Sequence, residues 1–174
     1  DSYIAIAVRE AIVLEFAPTI VSLILAGKVG SNIASTLGTM RATEQMDALR
    51  VMGINPASYL VLPKIAACLL FNPILVIFGM LLGLVGGYLA GDLLNLVNTE
   101  VYLSGYFMEF FPHYVSYSLI KTFVFAFIIA TVSAFFGYKV EGGAVEVGKA
   151  STKSVVAMSF TIILFNYILT DIIL

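Results

Sequence analysis

Two ionisable residues, Glu15 and Lys121, stand inside long apolar stretches of the sequence. A charged side chain within an apolar membrane helix costs roughly 2.5–3.5 kcal/mol on insertion scales, so such residues usually face a cavity, a partner or a substrate path. Pro18 follows Glu15 by three residues and is able to kink the helix beside it. Lys121 either reaches the membrane surface with its long side chain or meets a buried carboxylate. The two residues therefore predict an ion pair or a substrate-facing polar site within a membrane.

A second polar region occupies 35–53, directly after the first apolar run. At 100° per residue, four residues fall on one narrow face: Ala42, Met46, Leu49 and Gly53. Two opposite-charge pairs have i,i+3 spacing: Arg41 with Glu44, and Asp47 with Arg50. This pattern predicts a short amphipathic helix over about 36–53. Taken alone it indicates a solvated surface helix, and its place between two membrane spans makes it a candidate docking surface.

The composition of the chain is that of a membrane protein. The chain has 174 residues, of which 60% are hydrophobic and 11% charged, and its mean hydropathy is +1.02. Soluble proteins carry about a quarter charged residues, so this is an integral membrane protein with an all-α, polytopic fold. The net charge of −2 does not indicate a nucleic-acid partner. Cys68 is the only cysteine and no metal site is expected.

Hydropathy divides the chain into four spans within one transmembrane domain, 1–174. The spans cover about 11–34, 65–91, 114–137 and 154–174. Residues 1–11 are too short to cross a membrane and are predicted to be interfacial or a connector. The second span carries a glycine row at i,i+4 spacing, which allows a neighbouring helix to approach closely: Gly79, Gly83, Gly87 and Gly91. The pattern leaves open whether that neighbour belongs to the same chain or to a second copy.

Basic residues predict the orientation of the bundle. Seven collect on one side if four spans alternate: Lys28, Arg41, Arg50, Lys64, Lys139, Lys149 and Lys153. The opposite side is acidic and includes a segment at 92–112 rich in aromatic residues. By the positive-inside rule, the 35–53 region is cytoplasmic. The sequence contains no GxxxxGK[ST] motif, so it has no Walker A site of its own, and it contains no HExxH, GxSxG or GxGxxG motif.

The run from 14 to 56, LEFAPTIVSLILAGKVGSNIASTLGTMRATEQMDALRVMGINP, resembles the Mla-type (MlaE/YrbE) permease family, the membrane subunits of MCE-associated ABC transporters. Three elements carry the resemblance: Glu15 with Pro18, the small-residue segment 26–31, and the segment 38–49. The remaining chain matches more loosely. The family has a further interfacial helix and transmembrane helix before this region, so we expect at least one membrane segment to precede Asp1 in the natural protein.

The resemblance implies a phospholipid permease of the bacterial inner membrane that works as a homodimer. Lipid would pass between that membrane and a periplasmic MCE-domain lipid-binding protein, maintaining outer-membrane lipid asymmetry. The chain would not be an enzyme, because a separate cytoplasmic ABC ATPase would bind ATP and Mg²⁺. The charged region would be the coupling helix that docks into this ATPase, with these candidate contacts: Thr39, Arg41, Glu44, Gln45, Asp47 and Leu49.

The resemblance also implies that Glu15 lies in a lipid cavity between two subunits. The lipid tails would meet three apolar residues around it: Ile12, Phe16 and Ile20. Lys121 would lie near the headgroup. Many family members have arginine before this glutamate, whereas this sequence has Leu14, so Arg9 or Lys121 would have to supply the cation. Two other functions stay open at this stage. One is a secondary transporter or channel that uses Glu15 and Lys121, and the other is a membrane scaffold for a periplasmic assembly.

Overall fold

The computed structural model describes residues 2–93, 104–105, 108 and 111–173. Within this part of the chain, four helices are long and apolar enough to cross a membrane, as the all-α, polytopic prediction requires. We number the helices α1 (Tyr3–Ala42), α2 (Gln45–Val51), α3 (Ala57–Leu93), α4 (Pro112–Tyr138) and α5 (Ala144–Ile173). Most of the predicted aromatic segment at 92–112 lies outside the described residues.

Helix α1 is longer than its predicted span. Its 40 residues extend over about 60 Å, twice the thickness of the hydrocarbon core. The prediction of a separate interfacial segment at 1–11 is wrong, because the helix is already formed over Ser2–Glu10 and continues without a break. Two segments of α1, Ala11–Phe16 and Ala26–Gly30, have π-helical hydrogen bonding, which widens the turn.

The predicted amphipathic helix over 36–53 is two pieces. Its first half is the end of α1, and its second half is α2. The chain turns between them because Glu44 takes a left-handed conformation with φ of 60°. Such a conformation is unfavourable for a residue with a Cβ atom. The single narrow face expected of one continuous helix is therefore not formed.

The remaining helices also begin earlier than their predicted spans. Helix α3 begins with a π-helical turn, Ala57–Val61, ahead of the predicted start at 65. Helix α5 begins at Ala144, ahead of the predicted start at 154. The connection from α4 is consequently a short turn in which Gly142 has a φ of 121°. Polar residues at these helix ends obscured the boundaries in the hydropathy pattern. We call the end of the bundle where α1 and α4 finish and α3 and α5 begin the basic end.

Helix α4 lies at the centre of the bundle and contacts α1, α3 and α5. One core cluster joins its middle to α1 and α5: Ala26, Phe125, Ile128, Ile129, Met158 and Ile162. A second cluster joins its last turns to α1, α2 and α3: Ile33, Leu37, Met46, Cys68, Ala130 and Ala134. The outer faces of α3 and α5 expose large apolar side chains, as expected of helices that face lipid: Leu70, Phe71, Phe78, Leu82, Phe160 and Ile163.

The glycine row on α3 packs partly against α1 of the same chain. A Cβ atom at Gly79 would lie 2.9 Å from a methyl group of Val21, and one at Gly83 would lie 3.0 Å from a methyl group of Ile12. A Cβ at Gly91 would meet nothing within 4 Å. At least half of the row is therefore an intrachain contact, which answers the question that the sequence left open for Gly79 and Gly83.

A close contact between two helix backbones involves Gly137 near the end of α4. A Cβ atom there would lie 2.6 Å from the backbone oxygen of Ala34 and 2.9 Å from Cβ of Leu37 on α1. Backbone atoms cannot move aside as a flexible side chain can. In a lipid environment such close contact supplies dispersion energy that apolar burial alone does not.

Replacement of Gly137 by alanine should destabilise the bundle by about 1–3 kcal/mol, the usual cost of overpacking a closely packed contact. Gly86→Ala is the matched control, because its added methyl group would meet nothing within 4 Å. The difference in stability between the two variants is measured by unfolding each in detergent and monitoring the loss of the helical circular dichroism signal. Equal midpoints for the two variants would show that the contact at Gly137 does not limit stability.

Candidate functional site

Glu15 and Lys121 form a direct ion pair within the bundle. The Nζ of Lys121 lies 2.8 Å from Oε1 of Glu15, and the lysine side chain is fully buried while the glutamate side chain is 38% exposed. The same ammonium group donates to the hydroxyl of Tyr117 at 3.0 Å and to Oγ1 of Thr170 at 3.2 Å. Lys121 therefore meets a carboxylate, which is one of the two outcomes that the sequence allowed.

The carboxylate of Glu15 has further partners on α5. Nδ2 of Asn166 donates to Oε2 at 3.1 Å, and Oγ1 of Thr170 lies 3.1 Å from Oε1. The network extends to Thr19, which donates to Oδ1 of Asn166 at 2.9 Å. Both carboxylate oxygens thus have partners, as a charge inside a membrane helix requires.

Three helices each contribute two polar residues one turn apart to this network. The i,i+4 spacing places both members of each pair on one face: Glu15 and Thr19 on α1, Tyr117 and Lys121 on α4, Asn166 and Thr170 on α5. The sequence analysis identified Glu15 and Lys121 but missed the other four. The available signal was the repeated i,i+4 spacing of polar residues inside apolar spans.

The π-helical turn around Glu15 also bonds to α4 through its backbone. Ser118 donates its hydroxyl to the carbonyl oxygen of Val13, and Lys121 contacts the carbonyl of Leu14 at 3.4 Å. Short π-helical segments are frequent at functional sites. Here the segment carries the carboxylate and supplies two acceptors to the neighbouring helix.

The predicted lipid-contact residues divide into two groups. Phe16 and Ile20 are 57% and 44% exposed and line a shallow cavity of ≈ 180 Å³ together with Glu15 and Thr19. Ile12 instead packs on Gly83 of α3. Arg9 is buried, donates to the backbone oxygen of Met108 at 2.8 Å and lies 3.7 Å from Glu10. Lys121, and not Arg9, supplies the cation that pairs with Glu15.

The charged residues of the 35–53 region pair mainly with one another. Arg41 lies 2.9 Å from Asp47, instead of pairing with Glu44 as the helical spacing predicted, because the chain turns at Glu44. The predicted pair of Asp47 with Arg50 is present at 3.0 Å. Arg50 also donates to the hydroxyl of Tyr138 at 2.9 Å, a bond that, with the charge of Asp47, raises the pKa of the guanidinium.

Helix α2 is anchored to the bundle by a buried methionine as well as by these polar contacts. Met46 is fully buried and packs in the cluster that includes Leu37 and Ala134. Among the other candidates for a docking contact, Thr39, Glu44 and Gln45 are exposed and Leu49 is half-buried. Val51 and Met52, at the end of α2, are 89% and 64% exposed. The sequence analysis did not include these two apolar residues.

Helix α4 links the two regions. It carries Lys121 in the ion-pair network and Tyr138 at the contact with Arg50, 17 residues further along. This separation corresponds to about 26 Å along a helix axis. Helix α4 therefore joins the ion-pair network to the attachment of α2.

A double-mutant cycle should measure a coupling free energy of about 1–2 kcal/mol between Glu15 and Lys121, near the upper range for polar contacts within membranes. The cycle combines Glu15→Gln and Lys121→Met, and unfolding in detergent supplies the four free energies. Glu15→Gln alone should be the more damaging change, because it leaves the fully buried ammonium group of Lys121 without its anion, whereas Lys121→Met leaves a carboxylate that is 38% exposed. Additive effects of the two substitutions would contradict a direct interaction.

Comparisons with known proteins place the chain among membrane permeases. The family model described as Permease MlaE matches residues 1–172. A probable ABC transporter permease protein of Rickettsia bellii is 40% identical over 171 residues, covering 98% of this chain and 66% of the relative. A probable ABC transporter permease protein of Synechocystis is 35% identical over 158 residues, which cover 90% of this chain and 59% of the relative.

A plant relative extends the comparison to chloroplasts. The Arabidopsis thaliana chloroplastic protein TRIGALACTOSYLDIACYLGLYCEROL 1 is 32% identical over 157 residues, which cover 90% of this chain and 45% of the relative. The chain thus spans two thirds or less of the length of these relatives. The family match covers almost every residue, and the four apolar helices agree with a multi-pass membrane protein. The chain belongs to the MlaE permease family.

Proposed function

We propose that this chain is the permease subunit of an ABC transporter that moves phospholipids between the bacterial inner membrane and a periplasmic MCE-domain lipid carrier. This activity would maintain the lipid asymmetry of the outer membrane. The observation that carries the proposal is the Glu15–Lys121 ion pair, which adjoins a shallow cavity with apolar walls. Relatives named as ABC transporter permeases support the transporter class, and one relative has a glycolipid in its name.

The site presents different chemistry to the two ends of a lipid. Glu15 is the partly exposed member of the ion pair, so it is the charge that a headgroup would contact. Phe16 and Ile20 beside it are exposed apolar side chains, which suit acyl chains. The exposed face of α1 continues to Ile24, and a second copy of the chain would enclose the cavity on that side.

The energy for transport would come from a separate cytoplasmic ATPase that binds ATP and Mg²⁺. The region at Glu44, Gln45 and the exposed end of α2 would dock into that partner. Closure of two ATPase subunits would move α2, and Met46 together with the Arg50–Tyr138 hydrogen bond would carry the movement into α4. The movement would reach Lys121 and change the opening of the lipid cavity.

The two rival functions predict different biochemistry. A secondary transporter or channel would follow an ion gradient, with no ATPase copurifying. Its charges would also have to be accessible, whereas Lys121 is fully buried against Glu15. A scaffold would tolerate substitutions at Glu15 without any change beyond stability. Copurification of an ABC ATPase with the full-length chain is the most direct test between these classes.

A photo-crosslinking amino acid at Phe16 should capture phospholipid in membranes, and Glu15→Ala should reduce capture several-fold because the headgroup contact is lost. Mass spectrometry of the adducts provides the measurement. The control position is Leu82 on α3, which is 72% exposed and should label bulk lipid regardless of residue 15. Capture at Leu82 with none at Phe16 would refute the cavity assignment.

Replacement of Glu44 by glycine should distinguish the contribution of this residue to ATPase docking from its contribution to the stability of the fold. Glycine accepts a positive φ readily, so stability should be unchanged or raised by up to about 1 kcal/mol. Loss of the exposed carboxylate should nevertheless weaken capture of the ATPase, and Glu44→Lys should weaken it further. Gly53→Ala is the structural control, because Gly53 has a φ of 78° and the substitution should cost about 1 kcal/mol. Full ATPase capture by both Glu44 variants would exclude this residue from the interface.

A further inference from the structure

The last turns of α4 separate two cavities of different character at the basic end of the bundle. One cavity, of ≈ 360 Å³, lies between α4 and the start of α5, and the other, of ≈ 320 Å³, lies between α4 and the start of α3. Phe135 and Lys139 line both cavities. The ammonium group of Lys139 lies 4.5 Å from the centre of the Phe135 ring, so the two residues form the shared rim.

The cavity beside α5 is lined by five ionisable side chains as well as apolar ones, and more of the five are positive than negative. Lys139, Lys149 and Lys153 line it, together with the carboxylates of Glu141 and Glu146. Lys149 is paired with Glu146 at 2.7 Å. Within the described part of the chain, no carboxylate lies within ion-pair distance of Lys139 or Lys153. These two exposed ammonium groups are available to an anion.

The cavity beside α3 is lined mainly by apolar groups, among them Ala57, Val61 and Ala134. It extends along α4 as far as Thr131, about 12 Å from Lys139 towards the middle of the helix. The cavity therefore extends away from the basic end towards the middle of α4. Phe135, which is 53% exposed, continues this apolar surface outward.

We propose that the two cavities together bind an anionic phospholipid from the membrane leaflet at the basic end. The phosphate lies between Lys139 and Lys153, and an acyl chain follows the apolar cavity past Val61 towards Thr131. A phospholipid satisfies both cavities because it is anionic at one end and apolar at the other. A soluble protein docked at the basic end would leave the apolar cavity empty, because that cavity extends along α4 away from the basic end.

This site is separate from the Glu15 cavity and reaches the region that holds α2. Tyr138 lines the apolar cavity and accepts the hydrogen bond from Arg50. A bound acyl chain would pack beside Tyr138 and restrict its movement. Occupancy would accordingly restrict the attachment of α2 to α4.

Native mass spectrometry of the full-length chain in detergent, titrated with phosphatidylglycerol, tests the proposal. Lys139→Ala combined with Lys153→Ala should weaken binding by about 30-fold, the change expected for two lysines at about 1 kcal/mol each. Lys64→Ala is the control, to be compared with the single variants Lys139→Ala and Lys153→Ala, since it removes one cation near the start of α3 and does not line these cavities. The control should bind phosphatidylglycerol like the unchanged chain.

Three outcomes would overturn the proposal. The first is equal binding by the Lys139/Lys153 variant and the control, and the second is displacement of the lipid by inorganic phosphate at matching concentrations, which would indicate a phosphate site without an acyl component. The third is loss of the copurifying ATPase from the variant with lipid binding intact, which would assign the lysines to a protein interface. Both lysines are exposed, so the variant should fold, and its helical circular dichroism checks this.

Discussion

A fully buried ammonium group constrains this bundle more strongly than any other feature of the described chain. Lys121 cannot reach water, and an uncompensated charge inside a low-dielectric interior costs several kcal/mol. Its hydrogen bonds therefore require Glu15 on α1 and Thr170 on α5 to lie within about 3 Å of one point. Apolar packing between lipid-embedded helices is not directional, so this polar contact determines the register in which the three helices meet.

A second set of contacts fixes α4 at the basic end. Gly137 allows the backbone of α1 to approach, and Tyr138 accepts a hydrogen bond from Arg50 of α2. One side of the helix between these contacts packs on apolar residues of its neighbours, whereas Phe123 and Phe127 on the other side are exposed. Helix α4 is therefore held at both ends and supported along its length. Such an element suits the proposed coupling, in which movement of an ATPase partner would be carried to the cavity at Glu15.

The sequence was sufficient to predict the fold class and the two charges of the ion pair, because long apolar runs make an embedded carboxylate or lysine conspicuous. It left open whether the two residues pair with each other, since residues 106 positions apart have no periodic relation. The break at Glu44 was missed because a glutamate at a positive φ contradicts its conformational preference. The π-helical segments were also missed, because no residue pattern used in the sequence analysis distinguishes a π turn from an α turn. The partners Asn166 and Thr170 were predictable in principle from their i,i+4 spacing.

The geometry of α2 changes which residues are the best candidates for contacting an ATPase. Arg41 and Asp47 were natural candidates in the sequence, but their charges are already matched by each other and by Arg50. A partner that used them would have to break these pairs and would gain little net free energy from exposed ion pairs. Exposed apolar side chains that are not engaged in such ion pairs contribute more to the free energy of binding, because docking removes their apolar area from water. Val51 and Met52 meet that condition at the end of α2. In the proposed complex, then, Arg41, Asp47 and Arg50 hold α2 in place on the permease, and the apolar end of the helix joins Glu44 in the contact with the ATPase.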